Sequence, residues 1–173
     1  GIREQFVLAT KSMSRTAEAM AKDIDISLKN LRTDYIDLYQ IHNAPPADLE
    51  KVCAPGGALE ALTAAKTAGK IGHIGITAHS LETFRMALEL PWVETIMFPY
   101  NIVEDQAKAL IHACAEKNIG FIAMKPLAGG AIEDAVTALR YVCANPDVTV
   151  VIPGMADIAE LNQNLTAVND ASP

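Results

Sequence analysis

The sequence predicts an α/β protein with a parallel sheet, and three observations support this fold class. Short apolar runs of strand type alternate with longer segments in which apolar residues recur at helical spacing, as at Met20, Ile24 and Leu28. Six such βα units follow one another, and no hairpin signal joins two of the strands. The strands are apolar almost throughout, which is typical of parallel strands covered by helices on both faces.

Compact apolar runs bounded by polar or turn-forming residues predict the six strands. In chain order they are Phe6–Thr10, Tyr35–Ile41, Ile71–Thr77, Val93–Phe98, Ile119–Met124 and Val148–Ile152. Short connections suit both an open doubly wound sheet and a barrel, so periodicity alone leaves both open. No Gly-x-Gly-x-x-Gly follows a predicted strand, which disfavours the open dinucleotide-binding type.

Helical spacing of apolar residues predicts a helix after each strand. These helices are Ala17–Leu31, Leu59 to Gly69, Leu81–Leu90, Glu104–Lys117, Ile132–Ala144 and Ile158–Val168. Ser14 is a candidate N-cap of the first helix, because its hydroxyl can accept a hydrogen bond from an N–H of the first turn. The residues from Ala44 to Gly57 include several Pro and Gly and are predicted to form a loop.

Length and charge limit the class of protein. The chain has 173 residues, which suffices for one domain but not for a complete TIM barrel of about 250 residues. A net charge of -7 without a basic run disfavours binding to nucleic acid or to a membrane surface. No apolar run approaches the roughly 20 residues that span a bilayer.

The three cysteines, Cys53, Cys114 and Cys143, are widely separated and odd in number. This pattern is typical of reduced thiols and predicts a cytoplasmic protein without a disulfide framework. Cys114 and Cys143 fall in apolar helical patterns and are expected in the core. No His, Cys, Asp or Glu spacing resembles a metal site, and neither a nucleophile elbow nor a Walker loop is present.

Residues at the C-terminal ends of parallel strands are the first candidates for a site, because ligands of such folds bind there. In chain order they are Lys11, His42, Thr77 with His79, Tyr100 with Asn101, Lys125, and Gly154. Lys11 could lower the pKa of a neighbouring acid, and His42 could donate a hydrogen bond to a carbonyl. Each alone is more often a solvated lysine or a structural histidine, but the pair on successive strands favours catalysis.

Several segments resemble the aldo-keto reductases. The longest and most specific runs from Ser27 to His42 and contains the fourth barrel strand of that family. Further matches are residues 6–11, 70–77, 98–101, 124–127 and 152–154, so that the resemblance covers nearly the whole chain. It implies an α/β fold, a parallel (β/α)8 TIM barrel of the aldo-keto reductase type, present as about six βα units in a single partial domain over residues 1–173.

The resemblance also implies NAD(P)H-dependent reduction of aldehydes and ketones to alcohols by a tetrad of Asp, Tyr, Lys and His. Lys11 corresponds to the lysine that lowers the pKa of the tyrosine, and His42 to the histidine that orients the substrate carbonyl. The tyrosine and aspartate belong to the first two βα units, and the chain begins just before the third strand. It is therefore expected to be a fragment that is incomplete for catalysis. Tyr35, Tyr39 and Tyr100 match other positions of the family.

By resemblance, eight residues are expected to bind the cofactor: Thr77, Met97, Lys125, Leu127, Gly129, Gly154, Met155 and Asn164. Thr77 replaces a serine that touches the nicotinamide carboxamide, and Met97 replaces a common glutamine. Lys125, Leu127 and Gly129 fall on the loop that touches the pyrophosphate, where a cation and open backbone amides suit phosphate. Asn164 corresponds to a position near the adenine.

The residues after the last strand bear on the choice between NADP and NAD. Members that use NADP place cations around the adenosine 2′-phosphate, whereas this chain has Gly154, Met155 and Glu160. Because no positive charge meets that phosphate and Glu160 would repel it, we expect a weak or lost preference for NADP, in favour of NAD.

The sequence leaves two alternatives to a reductase open. The family includes channel-associated subunits whose main role is to bind a partner, so the chain could be a non-catalytic regulatory or binding subunit. It could also be a catalytically silent piece of six units, whose open strand edges would favour self-association. The partner expected of the enzyme is a small-molecule carbonyl substrate, whose identity the sequence does not give.

Overall fold

A computed structural model describes residues 1–169, which form six strands and seven α-helices. The strands are β1 (Ala9–Ser12), β2 (Ile36–Ile41), β3 (Ile71–Thr77), β4 (Thr95–Pro99), β5 (Gly120–Met124) and β6 (Val150–Ile152). The helices are α1 (Ala17–Leu31), α2 (Pro46–Cys53), α3 (Ala58–Thr67), α4 (Leu81–Leu88), α5 (Lys108–Glu116), α6 (Ala135–Cys143) and α7 (Ile158–Asn169). None of these helices combines the length and the apolar character that crossing a membrane requires.

The chain divides into two compact units, one covering Gly1–Thr95 and the other beginning at Ile96. The first unit contains three parallel strands. Lys11 of β1 lies opposite Gln40 of β2, and Gln40 lies opposite Gly75 of β3. Side chains alternate between the two faces of a strand, so the residue two positions further along points to the same side. The register therefore predicts one shared face for Lys11, Gln40 and Gly75 and for the residues that follow β2 and end β3.

The opposite face of these strands packs against helices of the first unit. Tyr39, next to Gln40 along β2, is fully buried, and its hydroxyl is 3.2 Å from Ser27 Oγ of α1. Met20 and Ile24 form the buried side of α1, as their helical spacing predicts. Burial of such side chains contributes about 1.5–3 kcal/mol each and holds the helix in place.

Helix α1 is capped by Thr16, so the prediction of Ser14 as N-cap is wrong. The Thr16 hydroxyl accepts a hydrogen bond from the Ala19 N–H at 3.4 Å. The Ser14 hydroxyl instead donates to the Asp23 carboxylate at 2.7 Å. Ser14 and Thr16 both fit the capping pattern, but the Asp23 carboxylate accepts the hydrogen bond of the Ser14 hydroxyl, and Thr16 caps the helix.

A helix lies within the segment that was predicted to be a loop. Helix α2 covers Pro46–Cys53 and buries Leu49 and Val52. Pro46 occupies the first turn, where the missing N–H would have no helical partner in any case. The prolines that suggested a loop from Ala44 to Gly57 therefore start a helix, and that prediction is wrong.

The remaining predicted elements are present, several with shifted ends. Strand β3 has the predicted bounds, Ile71–Thr77. Strand β1 begins at Ala9 instead of Phe6, and Phe6 and Val7 are 60% and 80% exposed. Several helices begin later or end earlier than predicted, because helical spacing of apolar residues continues into the flanking turns.

The second unit pairs β5 with β6 in parallel, with Met124 opposite Ile152. Tyr100, which follows β4, donates its N–H to the Met124 carbonyl at 3.1 Å. Phe121 of β5 and Val142 of α6 are fully buried in this unit. The ends of β4 and β5 are therefore joined, which places the loops that follow them close together.

Of the two cysteines expected in the core, only Cys114 is buried. Burial raises the pKa of its thiol to about 12. Cys143 is exposed, so the prediction for it is wrong. It is the last residue of α6, and the buried stripe of that helix passes through Leu139 and Val142 instead.

Gly75 lies between the side chains of Gln40 and Thr95. A methyl group at Gly75 would overlap Thr95 Oγ1, and it would lie 3.0 Å from the Thr95 carbonyl oxygen and 3.3 Å from Gln40 Cγ. We expect Gly75→Ala to lower the free energy of unfolding by roughly 1–3 kcal/mol in urea denaturation. Thr95→Ala removes the overlapping atom, so the double variant should lose less than the sum of the two single losses.

Gly154→Ala is the matched control for this prediction. A methyl group there meets open space, so the free energy of unfolding should change by less than about 0.5 kcal/mol. Equal losses for the two alanine variants, or additive losses for Gly75→Ala and Thr95→Ala, would contradict the close packing around Gly75.

Candidate active site

Lys11 and His42 lie at the ends of neighbouring parallel strands. Lys11 is exposed and lies opposite Gln40 of β2. His42 follows β2 directly, is half-buried, and donates its backbone N–H to the Ser12 carbonyl at 2.8 Å. The register of β1 and β2 therefore brings Lys11 and His42 to the same face and the same end of the strands.

The Thr77 hydroxyl binds both the His42 side chain and the backbone beyond it. Thr77 Oγ1 is 3.1 Å from His42 Nδ1 and accepts a hydrogen bond from the Asn43 N–H at 2.9 Å. Asn43 has a φ of 45°, in the left-handed region, which costs an L-residue about 1 kcal/mol. The resemblance assigned Thr77 to the nicotinamide carboxamide, but the described contacts of its hydroxyl are with His42 and Asn43.

Arg15 holds the same turn from the loop between β1 and α1. Its guanidinium donates to the carbonyl oxygen of His42 at 2.8 Å and to that of Asn43 at 3.3 Å. Its Nε is 3.2 Å from Asp48 Oδ2, and its side chain is only 13% exposed. A guanidinium with these partners fixes the backbone that carries His42. Sequence reasoning missed Arg15, for which the only signal was its place in a loop shortly after Lys11.

The pKa of His42 lies below its ordinary value of 6.5. Burial lowers it most, and the positive charges of Lys11, His79 and Arg15 lower it further. His42 is therefore neutral at physiological pH. A neutral imidazole has one N–H donor and one acceptor nitrogen, so it can donate to a carbonyl oxygen.

The tyrosines that the resemblance left out of the tetrad lie elsewhere. Tyr39 is on the opposite face of β2 from Gln40, and burial raises the pKa of its hydroxyl. Tyr35 precedes β2, at the other end of that strand from His42. Tyr100 is buried in the second unit, where its hydroxyl accepts a hydrogen bond from Asn145 Nδ2 at 3.3 Å.

The histidines outside the site pair with acidic residues at the surface. His73 Nδ1 is 2.8 Å from Glu94 Oε1, and His112 Nδ1 is 2.9 Å from Asp147 Oδ2. Both histidine side chains are mostly exposed. Within residues 1–169, no group of three or more His, Cys, Asp or Glu side chains could hold a metal ion.

The second unit contains a cavity of about 530 Å³ beside the ends of β5 and β6. Five of the residues expected to bind the cofactor line it, namely Lys125, Leu127, Gly129, Gly154 and Asn164. Met97, which is half-buried on β4, and Met155, which is 50% exposed, do not line this cavity. The structure thus brings together most of the residues that the resemblance selected from this unit.

A turn with left-handed residues forms one wall of the cavity. Lys125 and Gly129 have φ values of 54° and 70°. Asn101, which follows β4 and is fully buried, donates from Nδ2 to the Lys125 carbonyl at 3.0 Å. Its Oδ1 accepts hydrogen bonds from the backbone N–H groups of Val103 and Glu104. Asn101 therefore positions this turn, a role that its place at a strand end did not reveal.

The cavity combines a buried amide with two carboxylates and a lysine. Asn164 is 7% exposed, and its Nδ2 has no hydrogen-bond partner among the described residues. A buried donor without a partner is unfavourable, so an acceptor atom of a ligand would be stabilised there. Glu133 and Glu160 also line the cavity, and Lys125 is the one cationic residue in its described lining.

Glu160 stabilises the start of α7. Its Oε2 accepts a hydrogen bond from the Ala156 N–H at 2.6 Å, and its own N–H donates to Asp157 Oδ1 at 2.9 Å. A helix N-terminus favours negative charge. In this chain a carboxylate already lies where a phosphate group would otherwise be favoured.

Lys11→Met should raise the pKa of His42, because it removes one of the positive charges that lower it. The value should stay below 6.5, since burial is the larger cause. The pH dependence of the His42 ring proton shifts in NMR measures this pKa.

The lowered pKa of His42 also makes stability depend on pH. Because the folded state has the lower pKa, the unfolded state binds more protons. The contribution of His42 to stability is therefore lost as the pH falls from about 6.5 through the folded pKa.

Lys22→Met is the matched control, because Lys22 lies on α1, where its charge acts on Asp23. It should leave the His42 titration unchanged. A His42 pKa above 6.5 in the unmodified chain, or equal titrations with and without the Lys11 amine, would contradict the described geometry.

The chain is similar in sequence to known aldo-keto reductases. The Aldo/keto reductase family model matches residues 1–137. L-galactose dehydrogenase of Arabidopsis thaliana is 25% identical and aligns with 97% of this chain and 65% of its own length. Aldo-keto reductase YhdN of Bacillus subtilis is 34% identical and aligns with 68% of this chain and 37% of its own length. The chain thus spans less than two thirds of either relative.

The fold agrees with this similarity. The holo form of an aldo-keto reductase from Bacillus halodurans superimposes with a TM-score of 0.85 at 23% identity, over 97% of this chain and 68% of that chain. The predicted fold class, an aldo-keto reductase barrel present as six βα units, is therefore confirmed. The match of the family model over most of the residues, together with this fold, shows that the chain belongs to the aldo/keto reductase family.

Proposed function

We propose that this chain supplies the lysine, the histidine and part of the cofactor site for NAD(P)H-dependent reduction of aldehydes or ketones to alcohols. The observation that carries the proposal is the position of Lys11 and His42 at the ends of neighbouring parallel strands, in a chain of this family. The dehydrogenase name of the plant relative supports a hydride-transfer reaction. The small-molecule partner is a carbonyl compound.

In this proposal, His42 binds the carbonyl oxygen of the substrate. Its neutral ring donates an N–H hydrogen to the oxygen, on which negative charge develops during reduction. The nicotinamide, when bound, supplies a hydride to the carbonyl carbon. Lys11 favours the ionised form of the family's tyrosine and so brings its pKa toward neutrality for proton transfer to the oxygen. That tyrosine and the aspartate are assigned to no residue of this chain.

We propose that the cavity of the second unit holds the pyrophosphate and the adenine of a dinucleotide cofactor. We propose that the buried Asn164 amide, whose Nδ2 lacks a partner within the described residues, donates to the adenine. The Lys125 ammonium group and the glycine-containing turn after it suit the pyrophosphate, because cations and turn amides bind phosphate oxygens. Thr77, Met97 and Met155 remain candidates by resemblance.

We further propose that Glu160 disfavours the 2′-phosphate of NADP. Its carboxylate is fixed by the Ala156 N–H at the start of α7, on the wall of the cavity. A second anion close to it would be repelled, and Lys125 is the one cation in the described lining. One relative, from Schizosaccharomyces pombe, carries NADP(+) in its name, so this preference would distinguish the two proteins.

Glu160→Gln should strengthen the binding of NADP⁺ by about threefold to tenfold and leave the binding of NAD⁺ nearly unchanged. The glutamine carbonyl oxygen can still accept the hydrogen bond from the Ala156 N–H, so only the charge is removed. Isothermal titration calorimetry with both cofactors on the 173-residue chain measures the effect.

Glu116→Gln removes the same charge from α5, outside the described lining of the cavity, and should change neither affinity. Clearly tighter binding of NADP⁺ than of NAD⁺ by the unmodified chain would contradict the role proposed for Glu160. The absence of binding of either cofactor would contradict the assignment of the cavity.

The proposed chemistry is tested by following NADH and NADPH oxidation with a panel of aldehydes. Because Lys11 and His42 are two members of a tetrad of four, we expect no turnover by the 173-residue chain alone. A longer chain that adds the family's Asp and Tyr should turn over, and His42→Gln should lower its kcat by roughly 100-fold or more. Turnover by the 173-residue chain would contradict the tetrad assignment.

The same assay separates the reductase from the non-catalytic binding subunit. A longer chain that contains the tetrad, binds NADH and reduces no aldehyde of the panel would favour the binding subunit. Turnover that depends on both Lys11 and His42 would exclude it.

A further inference from the structure

The Thr77 hydroxyl offers a way to determine which nitrogen of His42 carries the proton. A threonine hydroxyl has one hydrogen to donate and two lone pairs to accept with. Thr77 is 1% exposed, so its hydrogen needs an acceptor within the protein. Two polar groups lie within hydrogen-bond distance of Thr77 Oγ1 among the described residues, His42 Nδ1 at 3.1 Å and the Asn43 N–H at 2.9 Å.

Only one of these two groups can accept the hydrogen. The backbone N–H of Asn43 is a donor and has no lone pair to offer, so it occupies a lone pair of Thr77 Oγ1. The Thr77 hydrogen is then left for His42 Nδ1, which must be unprotonated to receive it. Counting donors and acceptors thus places the single ring proton of neutral His42 on Nε2.

We infer that Thr77 is a positioning residue that holds His42 in the tautomer with the proton on Nε2. Nε2, the ring nitrogen away from Thr77, thereby stays a hydrogen-bond donor while the ring is neutral. The donation of a hydrogen bond from Nε2 to a carbonyl oxygen rests on the proposed function, but the inferred tautomer does not. This extends the roles that the resemblance gave to Thr77 and His42, which did not connect the two side chains.

The surroundings of His42 favour its neutral form, which carries a single ring proton. The groups around the ring that carry or can carry charge are Lys11 on β1, Arg15 on the following loop and His79 after β3, all of them cationic when protonated. They disfavour a second proton on the ring, as does its burial. Arg15 also binds the His42 carbonyl at 2.8 Å, which holds the backbone that carries the ring beside Thr77.

Long-range ¹H–¹⁵N NMR spectra of the imidazole in the 173-residue chain test the inference at a pH above 6.5, where His42 is neutral. We expect a protonated Nε2 and an unprotonated Nδ1 for His42. Thr77→Ser keeps the hydroxyl and should give the same pattern. Thr77→Val removes it and should shift both nitrogens toward intermediate values, because neither tautomer is then favoured by a hydroxyl.

Thr95→Val is the matched control. Thr95 Oγ1 is buried and has no hydrogen-bond partner among the described residues, so its loss should leave the His42 spectrum unchanged. If Thr77→Val does not fold, the unmodified chain and Thr77→Ser still decide the question. A proton on Nδ1 in the unmodified chain, or a His42 spectrum unaffected in folded Thr77→Val, would overturn the inference.

Failure of this inference can be told apart from failure of the proposed function. In a longer chain that reduces aldehydes, Thr77→Val should lower kcat severalfold with little change in KM, and Thr77→Ser should restore it. The expected Nε2 proton together with turnover that is insensitive to His42→Gln would overturn the proposed role of His42 and leave the tautomer standing. A proton on Nδ1 together with turnover that requires His42 would overturn the inferred tautomer and leave the proposed role of His42 standing.

Discussion

The parallel register of β1, β2 and β3 is the constraint on which the proposed active site depends. Side chains alternate along a strand, so a shift of one residue between β1 and β2 would turn Lys11 toward the face that packs against the helices. Burial on that face fixes the register between β2 and β3. Tyr39 lies opposite Ile74 and Ile41 opposite Ile76, and all four are buried. A hydrophobic arrangement on one face thus determines which polar residues meet on the other.

The strand register places His42, and the polar contacts around it fix the orientation of its ring and the path of the next residue. Strand pairing brings the histidine to the right end of the sheet, but it fixes neither the ring orientation nor the path of the next residue. Thr77 binds the ring and the Asn43 N–H, while Arg15 binds the carbonyl groups of His42 and Asn43. These bonds hold the left-handed turn at Asn43 and keep the histidine in one arrangement.

Much of this arrangement could be predicted from the sequence, and the rest depends on contacts between distant residues. Apolar runs and helical spacing are local patterns, so the six βα units and the positions of Lys11 and His42 followed from them. Helix α2 was missed because a proline at a helix start resembles one in a loop. The contact between Thr77 and His42 joins residues 35 positions apart, and no local pattern encodes it. The cavity residues came from the resemblance, and the structure brings five of them together.

In the proposed active site, Lys11 shares one face of the strands with Gln40 and Gly75. Nuclear Overhauser contacts across β1, β2 and β3 in the 173-residue chain measure this register most directly. We expect backbone contacts that pair Lys11 with Gln40 and Gln40 with Gly75. Contacts displaced by one residue, with Lys11 paired to Tyr39, would turn the lysine to the helical face and contradict this register.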